Sequence, residues 1–132
     1  KPGMSENYVH TVTERDIQMF GELSGDMNPA HFDEAYAATT PFKTRIAHGM
    51  LSASYISTIL GMKMPGPGTI FMSLTTKFKA PVRIGDEVTA TCTAREVIAE
   101  KRRVIFDCMC KVGDLVVIEG EAMVMAPSRP KG

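Results

Sequence analysis

A carboxylate and an imidazole stand five residues apart in Ser24-Gly25-Asp26-Met27-Asn28-Pro29-Ala30-His31-Phe32-Asp33. Two such groups can hold a water molecule between a base and an acid, which is what general acid-base chemistry requires. Asn28-Pro29 works against a continuing helix, because proline lacks a donor and pushes the residue before it out of the α region. This stretch therefore predicts a shaped loop under Asp26 and His31. Downstream, Ile46-Ala47-His48-Gly49-Met50 opens an apolar segment whose first backbone N–H groups are free to meet an oxyanion, as helix starts do. Gly49 has no Cβ, so a carbonyl can approach its N–H closely. Base, acid and oxyanion donor all fall within one short region.

Those groups must be held by something, and the patterning says by what. Thr13 with Asp16 reads as an N-cap with an acidic first turn, and Ile17, Phe20 and Leu23 recur at helical spacing. Asp33 begins a helical piece through Ala38. Ile46 to Met62 contains no Asp, Glu, Lys or Arg and is apolar on nearly all sides, which predicts a buried central helix; it is short for a membrane span of roughly 20 residues. Gly61 can end it, and Pro65 to Gly68 prevent its continuation.

From Thr69 the period changes to two: Ile70, Met72, Leu74, Thr76, Phe78 and Ala80 alternate with Phe71, Ser73, Thr75, Lys77 and Lys79. Val88 to Ala94, Val104 to Val112 and Leu115 to Met125 continue the alternation. Gly85-Asp86 and Gly113-Asp114 supply turns, and Ala99 to Arg102 a longer hairpin. A strand near Tyr8 to Val12 joins an edge. An antiparallel sheet must cover its apolar face, and the only long apolar helix on offer is Gly49 to Leu60. The expected class is α+β, a sheet around one helix, as a single domain over 4–127 with flexible termini at 1–3 and 128–132.

Composition narrows the function. The chain has 132 residues, 44% of them hydrophobic, enough for one core. Fifteen acidic and fifteen basic side chains cancel, and without a basic footprint nucleic-acid binding is set aside. Cys92, Cys108 and Cys110 are odd in number and give no fourth zinc ligand; they read as buried free thiols in a reducing compartment. No basic start, apolar run and small-residue cleavage site occur together at the N-terminus, so the cytoplasm is the expected location.

Gly25-Asp26-x-Asn28-Pro29-x-His31-x-Asp33, then His48-Gly49-Met50 and an uncharged helix, resembles the MaoC-like R-specific enoyl-CoA hydratases of the hotdog fold. The resemblance extends over Pro65-Gly66-Pro67-Gly68, the run Thr69 to Pro81, and Pro81-Val82-Arg83-Ile84-Gly85-Asp86-Glu87-Val88. It implies a homodimer, an acyl-CoA thioester substrate, and reversible hydration of a trans-2-enoyl-CoA to an (R)-3-hydroxyacyl-CoA. No metal or other cofactor is expected. Asp26 and His31 are the expected catalytic pair, coupled so that their microscopic roles stay open. Gly49 is the expected oxyanion donor, with Asn28 fixing the loop or bonding near the pair and Ser57, placed by its alignment in the resemblance, facing the same cavity. A hotdog thioesterase and a non-catalytic acyl-CoA-binding subunit remain the alternatives.

Each residue also has a plainer role. Asp26 and Asn28 are ordinary turn and capping residues, and His31 an ordinary half-buried histidine. His48 suits either substrate contact or a structural hydrogen bond at the helix start, and His10 carries no signal. Lys101-Arg102-Arg103, Lys77 and Lys79 could meet coenzyme A phosphates or simply be solvated. The ten methionines suit an adaptable pocket or a core.

Overall fold

The period-two segments of the second half form four strands of one antiparallel sheet, and the start of the chain supplies the fifth. The structure, a computed structural model, describes residues 3–127. The elements run β1 Ser5–Thr11, α1 Glu14–Ser24, α2 Pro29–Phe32, α3 Glu34–Ala37, α4 Gly49–Met62, β2 Ile70–Phe78, β3 Glu87–Ile98, β4 Arg103–Val112 and β5 Leu115–Met125. A 3-10 turn at Ala99–Lys101 joins β3 to β4. The strand order is β1-β3-β4-β5-β2, so β1 and β2 are the edges. Of the termini expected to be flexible, residues 1–2 and 128–132 lie outside the described residues. Gly3 donates its N–H to the Ala94 carbonyl and so extends the β1–β3 ladder.

α4 packs against all five strands. Leu51, Ala53, Tyr55, Ile56, Ile59 and Leu60 are buried on it, facing Val88, Ala90 and Cys92 of β3, Phe106 and Cys110 of β4, and Ala122 and Val124 of β5. This is the hotdog arrangement, an α+β fold whose sheet curls around one helix. The alternation predicted for β3 and β4 is the observed one, with Val88, Ala90, Cys92 and Ala94 buried and polar residues between them.

Two departures matter. The pairing of β5 with β4 shifts between Cys110 and Lys111, so that Val117 and Ile118 are both buried although they are neighbours in sequence; a bulge of this kind breaks the alternation locally. β2, expected as a half-buried strand, leaves Ile70, Phe71, Met72 and Phe78 exposed because it is an edge. The three cysteines are free and buried, as expected; Sγ of Cys92 lies 3.6 Å from Sγ of Cys108 on the facing strand. Among the described residues no helix is long and apolar enough to cross a membrane.

Candidate active site

α1 opens on the predicted cap. Thr13 accepts from the Asp16 N–H at 3.1 Å, and the Asp16 carboxylate accepts from the Thr13 N–H at 3.0 Å, a reciprocal box that satisfies two end groups. The same carboxylate accepts from His10 at 2.7 Å, tying β1 to α1. α1 ends at Gly25, whose φ of 82° is the left-handed value a side chain would resist. The chain then turns so that Asp26 follows directly on the cap.

Here the expected loop is replaced in part by a helix. Asn28 is the N-cap of α2, its Oδ1 accepting from Ala30 N–H at 3.0 Å, with Pro29 in the first turn. Proline disfavours helix before itself but suits a first turn, where its missing N–H costs nothing. His31 therefore stands on one helical turn, and only Asp26 stays on the loop. Of the two roles considered for Asn28, this cap is one that fixes the loop. Arg45 holds the far end of α2: its Nε donates to the His31 carbonyl at 2.6 Å while its fork meets both Glu14 oxygens at 2.6 and 2.7 Å.

The segment before α4 is laced to its neighbours. Ile46 N–H donates to Ala30 carbonyl at 3.2 Å and Ala47 N–H to Val82 carbonyl at 2.6 Å. The Ile46 carbonyl accepts from His31 Nδ1 at 2.7 Å. A carbonyl can only accept, so Nδ1 carries the hydrogen and Nε2 is the nitrogen left to take a proton. Burial holds the His31 pKa below its ordinary value, and the neighbouring His48 adds to that; the Ile46 bond and the Asp26 carboxylate oppose both. A carboxylate oxygen of Asp26 and one ring nitrogen each of His31 and His48 all lie within 4.8 Å of one another. The predicted pair is thus assembled, with a second imidazole beside it.

His31, His48 and Gly49 line a cavity of about 410 Å³ whose walls are otherwise mostly apolar: Phe42, Ile46, Phe78, Pro81, Val117 and Ile118 among them. Gly49 is exposed, and at the first position of α4 its N–H faces no helical carbonyl. A Cβ there would stand 2.7 Å from the Phe78 ring, so only glycine leaves this approach clear. Asp26 is exposed at the rim and does not line the cavity in a single chain.

The remaining sequence candidates sort as follows. Ser57 is exposed on α4 and does not line the cavity; Ser52, which sequence reasoning passed over, is buried there with an unpartnered Oγ. Its spacing, three residues past Gly49 and so on the same helix face, was the available signal. Lys77 lines the hollow on the outer face of the sheet, and Lys79, though it borders this cavity, pairs its ammonium at 3.8 Å with Glu119 of that outer hollow. Lys101, Arg102 and Arg103 line neither. Met50 is the one methionine in the cavity wall.

Residues 3–118 match the family described as MaoC like domain. The chain is 57% identical over 129 residues to a Rhodospirillum rubrum protein named (R)-specific enoyl-CoA hydratase, covering 98% of this chain and 90% of that one. It is 46% identical over 127 residues to the 3-hydroxybutyryl-CoA dehydratase of Methylorubrum extorquens, covering 96% and 81%. Among solved structures, the (R)-hydratase from A. caviae involved in PHA biosynthesis superposes with a TM-score of 0.93 at 36% identity, covering 96% of this chain and 97% of that one.

Proposed function

The chain belongs to the MaoC-like family, and from that premise we propose that it adds water reversibly across the double bond of a trans-2-enoyl-CoA to give the (R)-3-hydroxyacyl-CoA. The observation that carries this reading is a mostly apolar cavity lined by His31 and by Gly49 with its free N–H, with the Asp26 carboxylate beside it, within 4.8 Å of a His31 ring nitrogen. The relatives named hydratase and dehydratase supply the direction of the chemistry and its hand.

Asp26 takes a proton from water as the oxygen bonds to the β carbon. The π electrons move onto the thioester as an enolate, whose oxygen accepts from the Gly49 N–H. The α carbon then takes a proton through His31, whose Nε2 is the available nitrogen. Asp26 is the base in this reading and His31 the relay, and protons are exchanged between them as one coupled pair. The apolar walls excluding bulk water strengthen each of these interactions.

This reading needs no metal: Asp26 and His31 carry the proton transfers and the Gly49 N–H takes the developing charge. The active form is a homodimer joined through the β2 edge, whose backbone lacks a neighbour on one side and whose Ile70 and Phe78 are 57% and 54% exposed. The free buried thiols suit a reducing compartment, the cytoplasm.

The test is loss of enoyl absorbance with crotonyl-CoA and a medium-chain enoyl-CoA, for wild type and Asp26→Asn, with coenzyme A thiol followed in parallel. Wild type is expected to hydrate without releasing thiol, and Asp26→Asn to fall by about 10² to 10⁴ in kcat. Thiol release would make the protein a thioesterase, and an active Asp26→Asn would remove Asp26 from the chemistry.

A further inference from the structure

One buried side chain touches every part of the site and has no step in the reaction above. His48 is 2% exposed and is the N-cap of α4, yet its side chain makes no capping bond, unlike Thr13, Asn28 and Asp33 at the other helix starts. Its Nε2 instead donates to the backbone carbonyl of Asp26 at 2.8 Å, across 22 residues of sequence. Its ring lies on the His31 ring at 3.9 Å and 29°, and Phe20 and Phe32 close on it at centroid distances of 4.8 and 5.6 Å. Its Nδ1 is buried without a partner, so among the described residues the contact to Asp26 is the ring's only hydrogen bond. Its own carbonyl accepts from Leu51, and the next N–H is that of Gly49.

We infer that His48 is a positioning residue that sets the loop of Asp26, the ring plane and solvation of His31 and the start of α4 at Gly49 in one register. The inference rests on the reading of Asp26 and His31 given above. Two actions are separable. The Nε2 hydrogen bond fixes the loop that presents the Asp26 carboxylate. The stacked ring covers a face of His31, keeping water from it, so that His31 stays neutral to lower pH. The ionisable groups facing His31 are Asp26 from the loop and His48 from the head of α4; Lys79 lines the same cavity, but its ammonium pairs with Glu119 at 3.8 Å. Arg45 reaches only its backbone carbonyl and is committed to Glu14.

The variants His48→Gln and His48→Phe separate the two actions. Gln keeps a donor for the Asp26 carbonyl but uncovers His31; Phe keeps the cover but has no donor. His48→Gln is expected to raise the His31 titration point seen by NMR and to move the acid limb of kcat/KM to higher pH with it. That direction follows because an uncovered imidazole binds its proton more readily. His48→Phe keeps the cover but removes the neighbouring imidazole, so it is expected to raise the His31 titration less than His48→Gln does and to lower kcat about tenfold at unchanged KM, the worth of about one hydrogen bond. In wild type, ¹⁵N spectra are expected to show His48 protonated on Nε2 and His31 on Nδ1, a reading that needs no variant to fold.

A His48 protonated on Nδ1, or two folded variants with the wild-type titration, pH profile and kcat, would overturn the inference. If the wild type turns over no enoyl thioester while the His31 titration still follows the substitutions, the positioning role stands and the reading of the reaction falls.

Discussion

Two hollows of this protein differ in chemistry more than in size. The larger, about 700 Å³, lies on the outer face of the sheet among Thr75, Lys77, Thr91, Arg95, Asp107 and Glu121. Its charges answer one another: Arg95 donates to Asp107 at 2.7 Å and also to Glu121, all three groups about half exposed. The smaller, at the head of α4, is mostly apolar and holds an imidazole made harder to protonate, a free helix N–H and two unpartnered buried atoms, His48 Nδ1 and Ser52 Oγ. What marks a reactive site is a small set of polar groups in a dry wall, not room.

One glycine in each hollow sharpens the contrast, and the two should fail in opposite ways. Gly49→Ala places a methyl 2.7 Å from the Phe78 ring, at the mouth by which a thioester oxygen reaches the N–H. Phe78 is half exposed and its ring can yield, and alanine is the better helix residue, so stability should hold. Hydration should fall by about 10² to 10³ in kcat, as when an oxyanion donor is lost. Full activity in Gly49→Ala would take the oxyanion from this N–H.

Gly120→Ala is the next largest and of the other kind. A Cβ at Gly120 would lie 2.1 Å from the Thr75 carbonyl oxygen, which is backbone and cannot turn aside. The β2–β5 ladder would have to shift, costing about 1 to 3 kcal/mol in a urea melt, as overpacking does. Turnover per folded molecule should stay within about twofold, a fraction of the tenfold that 1.4 kcal/mol brings. A large drop in kcat at normal stability would show that the outer face communicates with the cavity.

How far these places could be read in advance follows from the range of the contacts. That Asp26 comes close to His31 and that Gly49 opens a helix were legible because the first spacing is local and a helix start has free N–H groups whatever surrounds it. The capping box at Thr13 and the alternation of β3 were legible for the same reason. For His48 a structural hydrogen bond at the helix start was one of two readings, but its partner Asp26 and its stack on His31 were not legible, since both depend on how two distant segments fold together. The one hint was a histidine at a position where Ser, Thr, Asp or Asn is usual. The exposure of β2 was hidden too, because strand order is a property of the whole sheet and not of the strand.

The smallest effect is the most discriminating. In the sheet, Asp107 and Glu121 are directly paired across β4 and β5, and Arg95 bridges them from β3. Like charges facing each other destabilise a strand pair, so Arg95→Ala both removes an ion pair and leaves two carboxylates opposed. All three are about half exposed, and water screens both terms, so the cost should be about 1 kcal/mol or less and should shrink as salt rises. Hydration should be unchanged in kcat and in KM for either enoyl-CoA. A raised KM in Arg95→Ala that tracks ionic strength would mean that the larger hollow receives part of the coenzyme A after all, and the division between a built site and a charged surface would then have been drawn in the wrong place.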